Sequence, residues 1–525
     1  MMRAKSLGRQ ITKGCAVFMA VTVLLTGLCA SGSAGEAAGD FTVDLSAYPT
    51  GIVNARASVH DPSIIVNGGR YYIFGSHMAA AVSDNLRNWD RIANGYSPRN
   101  PVWGDLFADG LHVFDWAGAK NSLIPTDDGT YHVWAPDVIY NETMGKYVMY
   151  YCTTSTWCIS NLCFAVSDSV EGPYVWQGPL IYSGFDRNNL SATDVPKTVG
   201  EEYARKQYLT LAGGYDAKKW PNAIDPTAFC DADGRMWLVY GSWSGGIFLL
   251  ELDPATGRVI HPEADQGNGV DPYFGRRLLG GGHHSIEGPY IHYDRNSGWY
   301  YLFVSYGELT AHGGYQIRVY RSRNVEGPYA DMNGARAGDK GSQAPYGLKL
   351  SGNYMLPSLK RAYMATGHNS AFTDTDGKTY LCYHTRFNDG TEGHQPMVKQ
   401  YLVNREGWPC LLPYSTRKET VSPDGYDLKS VIGRYFVIDQ GTGINDTVAE
   451  PFILYLHEDG TVTGAGISGS WQAESGTYFM TVRVGEQDFS GVFCSMQDDA
   501  GTDCMTFSAV GANRSLWGVS YPAAE

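Results

Sequence analysis

The 525-residue chain is 43% hydrophobic and 18% charged, with a formal net charge of −14. That is an ordinary globular composition with material for a large core, at a length that suits two to four domains. The negative balance argues against nucleic acid and anionic membrane as partners and fits a polyanionic substrate poorly, while 63 glycines and 36 tyrosines suit an all-β protein of tight turns and aromatic strands.

The first element is a targeting segment. Arg3, Lys5, Arg9 and Lys13 stand without an acid, the apolar run CAVFMAVTVLLTGLCA follows, and small residues (SGSAGEAAG) come next. This reads as a secretory signal peptide over residues 1–34, cut near Ala34, so the mature chain is secreted to the extracellular space. Its charge is near −18, because four basic residues and no acid leave. The competing reading, an uncleaved export anchor, is disfavoured because the apolar core is short for a bilayer span. Eight cysteines remain after Cys15 and Cys29 depart. None has zinc-site spacing with histidines nearby, so they read as disulfides or buried thiols.

Five similar units follow over residues 40–412. They are VHDPSIIVNGGRYYIFGS with Asp61, WAPDVIYNETMGKYVMYYCTTS with Asp137, NAIDPTAFCDADGRMWLVYGS with Asp225, SIEGPYIHYDRNSGWYYLFVSYG with Glu287, and TGHNSAFTDTDGKTYLCYHTR with His368. In each, 10 to 12 residues and a glycine-containing turn separate the marked residue from an aromatic one. That is a strand–turn–strand pattern. A further apolar strand and polar turn follow each hairpin, as in AAAVSDNLRNW or YQIRVYRSRNVEGPY. Five four-stranded units predict a five-bladed β-propeller with long inserted loops. The first strand of each blade lines the axis, so the five marked residues should meet at one funnel. DADG (231–234) and DTDG (374–377) resemble calcium loops, but position twelve of each is Ser242 or Thr385 rather than glutamate, which makes them hairpin turns.

After a polar linker at 413–428, short alternating strands at regular spacing fill residues 429–525 and predict a small C-terminal β-barrel. No catalytic cluster is visible in it.

Carboxylates around a neutral or acidic cleft suit glycoside hydrolysis, with one acid protonating the leaving oxygen and one carboxylate activating water or attacking carbon. A third can tune the acid's pKa. Asp61, Asp225 and Glu287 could fill these roles; spacing alone leaves them equally readable as structural acids. HDPSI (60–64), NAIDP (222–226), IEGPY (286–290) and GHNS (367–370) resemble the motifs of glycoside hydrolase family 43. YGSWSGGIFLLELDP (240–254), YYLFVSYG (300–307) and GGYQIRVYRS (313–322) point within it to secreted two-domain endo-α-1,5-L-arabinanases.

The resemblance implies that arabinan and arabino-oligosaccharides are the substrates. It makes Asp61 the general base, Glu287 the general acid and Asp225 the modulator of its pKa. The reaction inverts the anomeric centre, with base and acid about 6.5–9.5 Å apart. It also implies that His368 helps to bind a calcium ion at the axis, mostly through water. Asn222, Ser242 and Trp243, beside the catalytic motifs, are candidate subsite residues. So is Phe114 in the 92–132 loop, which also holds Phe107 and Trp116. Asp137 is a structural or substrate-side residue, and His283 and His284 face either substrate or solvent. Two alternatives stay open: an exo-acting α-L-arabinofuranosidase or β-xylosidase on the same fold, and a non-catalytic sugar-binding propeller.

Overall fold

The computed structural model describes residues 45–108, 110–119, 131–155, 158–263, 268–339 and 346–521. The signal-peptide segment, with Cys15 and Cys29, lies outside the described residues.

Five antiparallel sheets follow one another along the chain. Their first strands are Ser63–Asn67, Val133–Asn141, Thr227–Cys230, Ile286–Asp294 and Tyr363–Thr373. Each pairs in strict succession with the second and third strands and then an outer one; the third sheet adds two two-residue strands. The hairpin turns form as their sequences predict. In DADG the buried Asp231 Oδ1 accepts the backbone N–H groups of Asp233 and Arg235, both at 2.9 Å. An aspartate that caps its own turn in this way needs no metal.

Side chains near the axis close the ring of blades. Ser370 Oγ of the fifth blade donates to the Pro62 carbonyl of the first at 2.8 Å. Ser63 of the first donates to Asp137 of the second, whose other oxygen accepts the Ala228 N–H of the third at 2.7 Å. Thr227 Oγ1 donates to the Pro289 carbonyl of the fourth at 2.9 Å, and the His368 N–H of the fifth donates to Ser305 Oγ of the fourth at 2.7 Å. The expected five-bladed propeller is therefore present. Between the blades, large side chains such as Trp103, Tyr151, Tyr240 and Phe303 form the core.

Two short helices, Val195–Val199 and Glu201–Tyr208, interrupt the all-β pattern between the second and third blades. Pro196 sits in the first turn of one, and Glu201 pairs with Arg205 one turn on at 2.8 Å in the other. The sequence reading treated this region as inserted loop.

The C-terminal domain is an eight-stranded barrel from Gly433–Asp439 to Arg514–Ser520, closed by antiparallel pairing of these two strands. Side chains including Tyr435, Leu454, Phe493, Phe507 and Leu516 fill its interior. The connection into it is packed rather than loose, with Pro413, Tyr414, Ser415 and Thr416 all buried. All eight described cysteines are free thiols and only Cys230 is exposed, which decides for thiols over disulfides.

Candidate active site

A residue in the left-handed region recurs in or just before each first strand: Asp61 (φ 52°), Ala135 (φ 41°), Asp225 (φ 55°), Gly288 (φ 57°) and His368 (φ 50°), with a second, Ala365 (φ 47°), in the fifth. Proline follows the first four. Strand pairing slips at this level in the second, fourth and fifth blades, so the left-handed residue marks a repeated bulge. Such a conformation costs a non-glycine residue about 1–2 kcal/mol, and strain of this kind gathers at functional sites. The bulge corrects the equivalence read from sequence. Asp61, Asp225 and His368 do occupy matching places, but Glu287 lies one residue before its blade's bulge and Asp137 two residues after.

The Asp61 carboxylate lies among three histidines and a serine. His60 Nδ1 stands 2.8 Å from Oδ2, His368 Nδ1 3.1 Å from Oδ1 and His384 Nδ1 3.6 Å from Oδ1. Ser76 Oγ donates to Oδ2 at 2.5 Å and itself accepts the Ala135 N–H at 2.9 Å. Burial works against ionisation here, but His368 and His60 hold the carboxyl well below the usual carboxylate range. His384 is fully buried, and burial together with His60 pushes it well below the usual imidazole value. A neutral ring fits its other contact, in which Nδ1 accepts the Asp61 N–H at 3.3 Å.

Glu287 is fixed by donors from two blades. Trp243 Nε1 donates to Oε2 at 2.7 Å, Ser242 Oγ to the same oxygen at 3.2 Å, and the Tyr315 hydroxyl to Oε1 at 2.7 Å. Asp225 accepts the Gly288 N–H at 3.1 Å. Burial pushes Asp225 up to about 7; His368 and the Gly288 N–H oppose that shift, and the charges of Glu287 and Asp61 add to it. Burial would lower His368, yet the charges of Asp61, Asp225 and Glu287 raise it. Three carboxylates from three blades thus surround one imidazole, in three different environments.

The other candidates divide. Ser242 and Trp243 belong to the site through Glu287. The Trp243 ring also lies 5.3 Å from that of His283, whose Nδ1 is 3.1 Å from Ser244 Oγ. Asn222 is buried and accepts from Ser160 Oγ at 2.8 Å, which joins the second blade to the loop before Asp225. Phe114 packs with Phe107 and Tyr131, centroids 5.8 and 4.6 Å away. Trp116 instead donates to the Ser160 carbonyl at 3.0 Å. Asp137 is buried with both oxygens taken by neighbouring blades. Sequence reasoning missed His60, Ser76, His384 and Tyr315, although His60 and Tyr315 lie inside quoted motifs. His384 could have been found from the hairpin register, which sets it opposite Gly367 beside His368.

Two groups could hold a cation. His60, Asp61 and His384 bring one donor each within 4.8 Å of one another. Two nitrogens and one carboxylate suit a borderline ion better than calcium, and these atoms already bond among themselves. His368, faced by three carboxylates, lies where negative charge concentrates. That charge set fits a divalent cation whose remaining ligands are water.

Residues 204–409 match the family described as glycosyl hydrolases family 43, and residues 413–518 match a C-terminal lipocalin-like domain. An extracellular endo-α-(1→5)-L-arabinanase 2 of Bacillus subtilis is 35% identical over 496 residues, covering 91% of this chain and 96% of its own. The crystal structure of an endo-1,5-α-L-arabinanase from Thermotoga petrophila superposes with a TM-score of 0.76 at 34% identity, over 90% of this chain and all of that one. An extracellular exo-α-(1→5)-L-arabinofuranosidase of Cellvibrio japonicus is 25% identical over 67% of this chain and 86% of its own.

Proposed function

This chain belongs to glycosyl hydrolases family 43, and from that premise we propose that it hydrolyses α-1,5-linked L-arabinan internally, with inversion at the anomeric carbon. The observation that carries the proposal is the meeting of Asp61, Asp225 and Glu287, from three blades, around His368. Glu287 passes its proton to the leaving glycosidic oxygen. Asp61, kept ionised by its histidines, takes a proton from water as the water oxygen bonds to the anomeric carbon. Asp225 holds negative charge and a proton-binding site beside Glu287, and so acts on the acid rather than on the sugar. Trp243, Ser242 and Tyr315 fix the acid's orientation. Trp243, Asn222 and Phe114 are proposed to line subsites.

Calcium is proposed at His368, the side chain that would give the ion a nitrogen ligand. A bound divalent ion would supply positive charge where the three carboxylates face one another. Export to the extracellular space is proposed from the N-terminal signal pattern. The extracellular relatives support it, and no helix among the described residues is long and apolar enough to cross a membrane.

The endo reading is supported by the two relatives that match along most of their length; the exo-acting relative shares less of this chain. The test is hydrolysis of debranched linear arabinan with products resolved over time, beside Glu287→Ala. The expected result is a ladder of short oligosaccharides, β-configured at the first moments by NMR, that disappears in the variant. Arabinose alone from the first minutes would move the reading to an exo-enzyme. Inactivity on both arabinan and xylan would favour a sugar-binding propeller.

A further inference from the structure

A cleft of about 820 Å³ lies between the third and fourth blades, walled by turn 231–235, the strand Gly275–Leu279, turn 323–329 and the hairpin end around Tyr293 and Tyr300. It is remote from the funnel. Glu287 begins the strand Ile286–Asp294 and Tyr293 stands near its end, six residues or about 20 Å away. The cleft therefore opens at the opposite end of the strands from the catalytic carboxylates.

Its charge runs against that of the chain. Five arginines line it and two acids, Asp233 and Glu326, whereas the whole chain carries −14. Three of the five are engaged internally. Arg276 pairs with Glu326 at 3.0 Å, Arg235 pairs with Asp231 at 2.9 Å, and Arg277 donates to the Lys219 carbonyl under the Phe248 ring. Arg323 lies over Trp299, its Cζ 3.6 Å from the ring centroid, and gives one nitrogen, Nη1, to the Ser297 carbonyl. Arg336 is exposed; its backbone bridges to Ala330, and no described residue makes an ion pair with its guanidinium. Two guanidinium groups thus keep donors for a ligand, one of them pre-oriented by stacking. Beside them the Tyr293 and Tyr300 rings lie 4.6 Å apart at 31°, and Tyr300 is pinned where its hydroxyl accepts the Ala232 N–H at 2.8 Å.

Guanidinium forks recognise carboxylates in a fixed geometry, and the partly exposed Tyr293 ring, backed by the buried Tyr300, sets an apolar face beside them. A neutral arabinan offers the arginines hydroxyl oxygens but no anionic group. We propose that this cleft is a second, non-catalytic binding site for a uronate-bearing polysaccharide, which would hold the enzyme on acidic polymer while the funnel stays free. The chain's net charge repels such a polymer at long range, so the local inversion of sign is what would allow the contact.

The test is native affinity electrophoresis of the full chain at low ionic strength, in gels containing polygalacturonate, with linear arabinan and poly-L-glutamate gels beside it. Polygalacturonate should retard the wild type and poly-L-glutamate should not. Arg336→Glu, and the pair Arg323→Ala with Arg336→Ala, should weaken the retardation at least tenfold. With mobility in each gel taken relative to a polymer-free gel, to remove the charge change of the variants, both should leave the retardation by arabinan and the initial rate of arabinan hydrolysis unchanged, which shows that they fold. Arg336→Lys should keep part of the effect. The proposal is overturned if the wild type is not retarded, if poly-L-glutamate retards it equally, or if the variants bind polygalacturonate as the wild type does. Because the readout is binding of an acidic polymer, it stands or falls apart from the arabinan reading.

Discussion

Replacing Asp137 with asparagine keeps the shape of the side chain and removes its charge. The wild-type carboxylate is 2% exposed and accepts from Ser63 and the Ala228 N–H, and no cation offsets its burial. Burial raises its pKa from 3.8 to about 6. The unfolded chain therefore gives up this proton at a lower pH than the folded one. Below about pH 4 both states are protonated and the group costs nothing. Between pH 4 and 6 the folded state loses about 1.4 kcal/mol of stability per pH unit, and above pH 6 a penalty of about 3 kcal/mol stays in place.

The asparagine variant lacks this slope. Its amide oxygen can accept the Ala228 N–H and its NH₂ can donate to Ser63, so the exchange itself should cost no more than about 1 kcal/mol. At pH 4 the variant should be equal to the wild type or slightly weaker; at pH 7.5 it should be more stable by about 2 kcal/mol, a few degrees in Tm. Thermal unfolding of both proteins from pH 4 to 7.5 reads the difference. A difference that does not change with pH, or one that turns against the variant as pH rises, would refute the reasoning. Arabinan hydrolysis should stay within about threefold, and a hundredfold loss would return Asp137 to the substrate side.

Tyr315→Phe removes the hydroxyl that donates to Glu287 at 2.7 Å. A hydrogen bond to a charged group contributes about 1.5–3 kcal/mol, so kcat should fall about 10- to 100-fold with KM nearly unchanged in steady-state kinetics. Gly288→Ala places a methyl 3.1 Å from the His368 ring at φ +57°. Beyond the roughly 1–2 kcal/mol backbone cost, it should displace the histidine, seen as a lower Tm and an activity loss larger than the stability change explains. Chelation with EGTA should lower arabinan hydrolysis and calcium should restore it, while calcium should leave the residual rate of His368→Ala unchanged.

The propeller was legible because its repeat is written in local chemistry. A glycine-containing turn, capped by its own aspartate in DADG, and an aromatic residue 10 to 12 positions beyond the marked residue recur in every first hairpin. The barrel was legible for a similar reason, since alternation such as that of Phe479–Val484 needs no long-range information. The helix Glu201–Tyr208 escaped because, with eight residues, it is stabilised by burial of Ala204 and Tyr208 more than by any long periodic pattern. The histidines escaped for another reason. A lone histidine in a strand is ambiguous until the register sets it beside a partner, and His60 and His384 meet across 324 positions only when the ring closes.

The bulge explains the one-residue offset of Glu287. The left-handed place in the fourth blade faces the ring of His368, and a Cβ there would lie 3.1–3.3 Å from three ring atoms. An acid at position 288, matching Asp61 and Asp225, would displace the histidine that those acids surround. Glycine at 288 leaves the ring its space and its N–H to Asp225. The acid one residue earlier comes within reach of Trp243 and Ser242 from the third blade and of Tyr315 from its own. The offset gives Glu287 its own set of partners, while Asp61 and Asp225, at matching places, differ through their neighbours. Asp61 receives histidines, Asp225 receives a backbone N–H and little else, and Glu287 receives neutral side-chain donors that fix its direction without adding charge. General acid and general base need carboxylates in different environments, and here the neighbours supplied by other blades, more than the position in the strand, provide them.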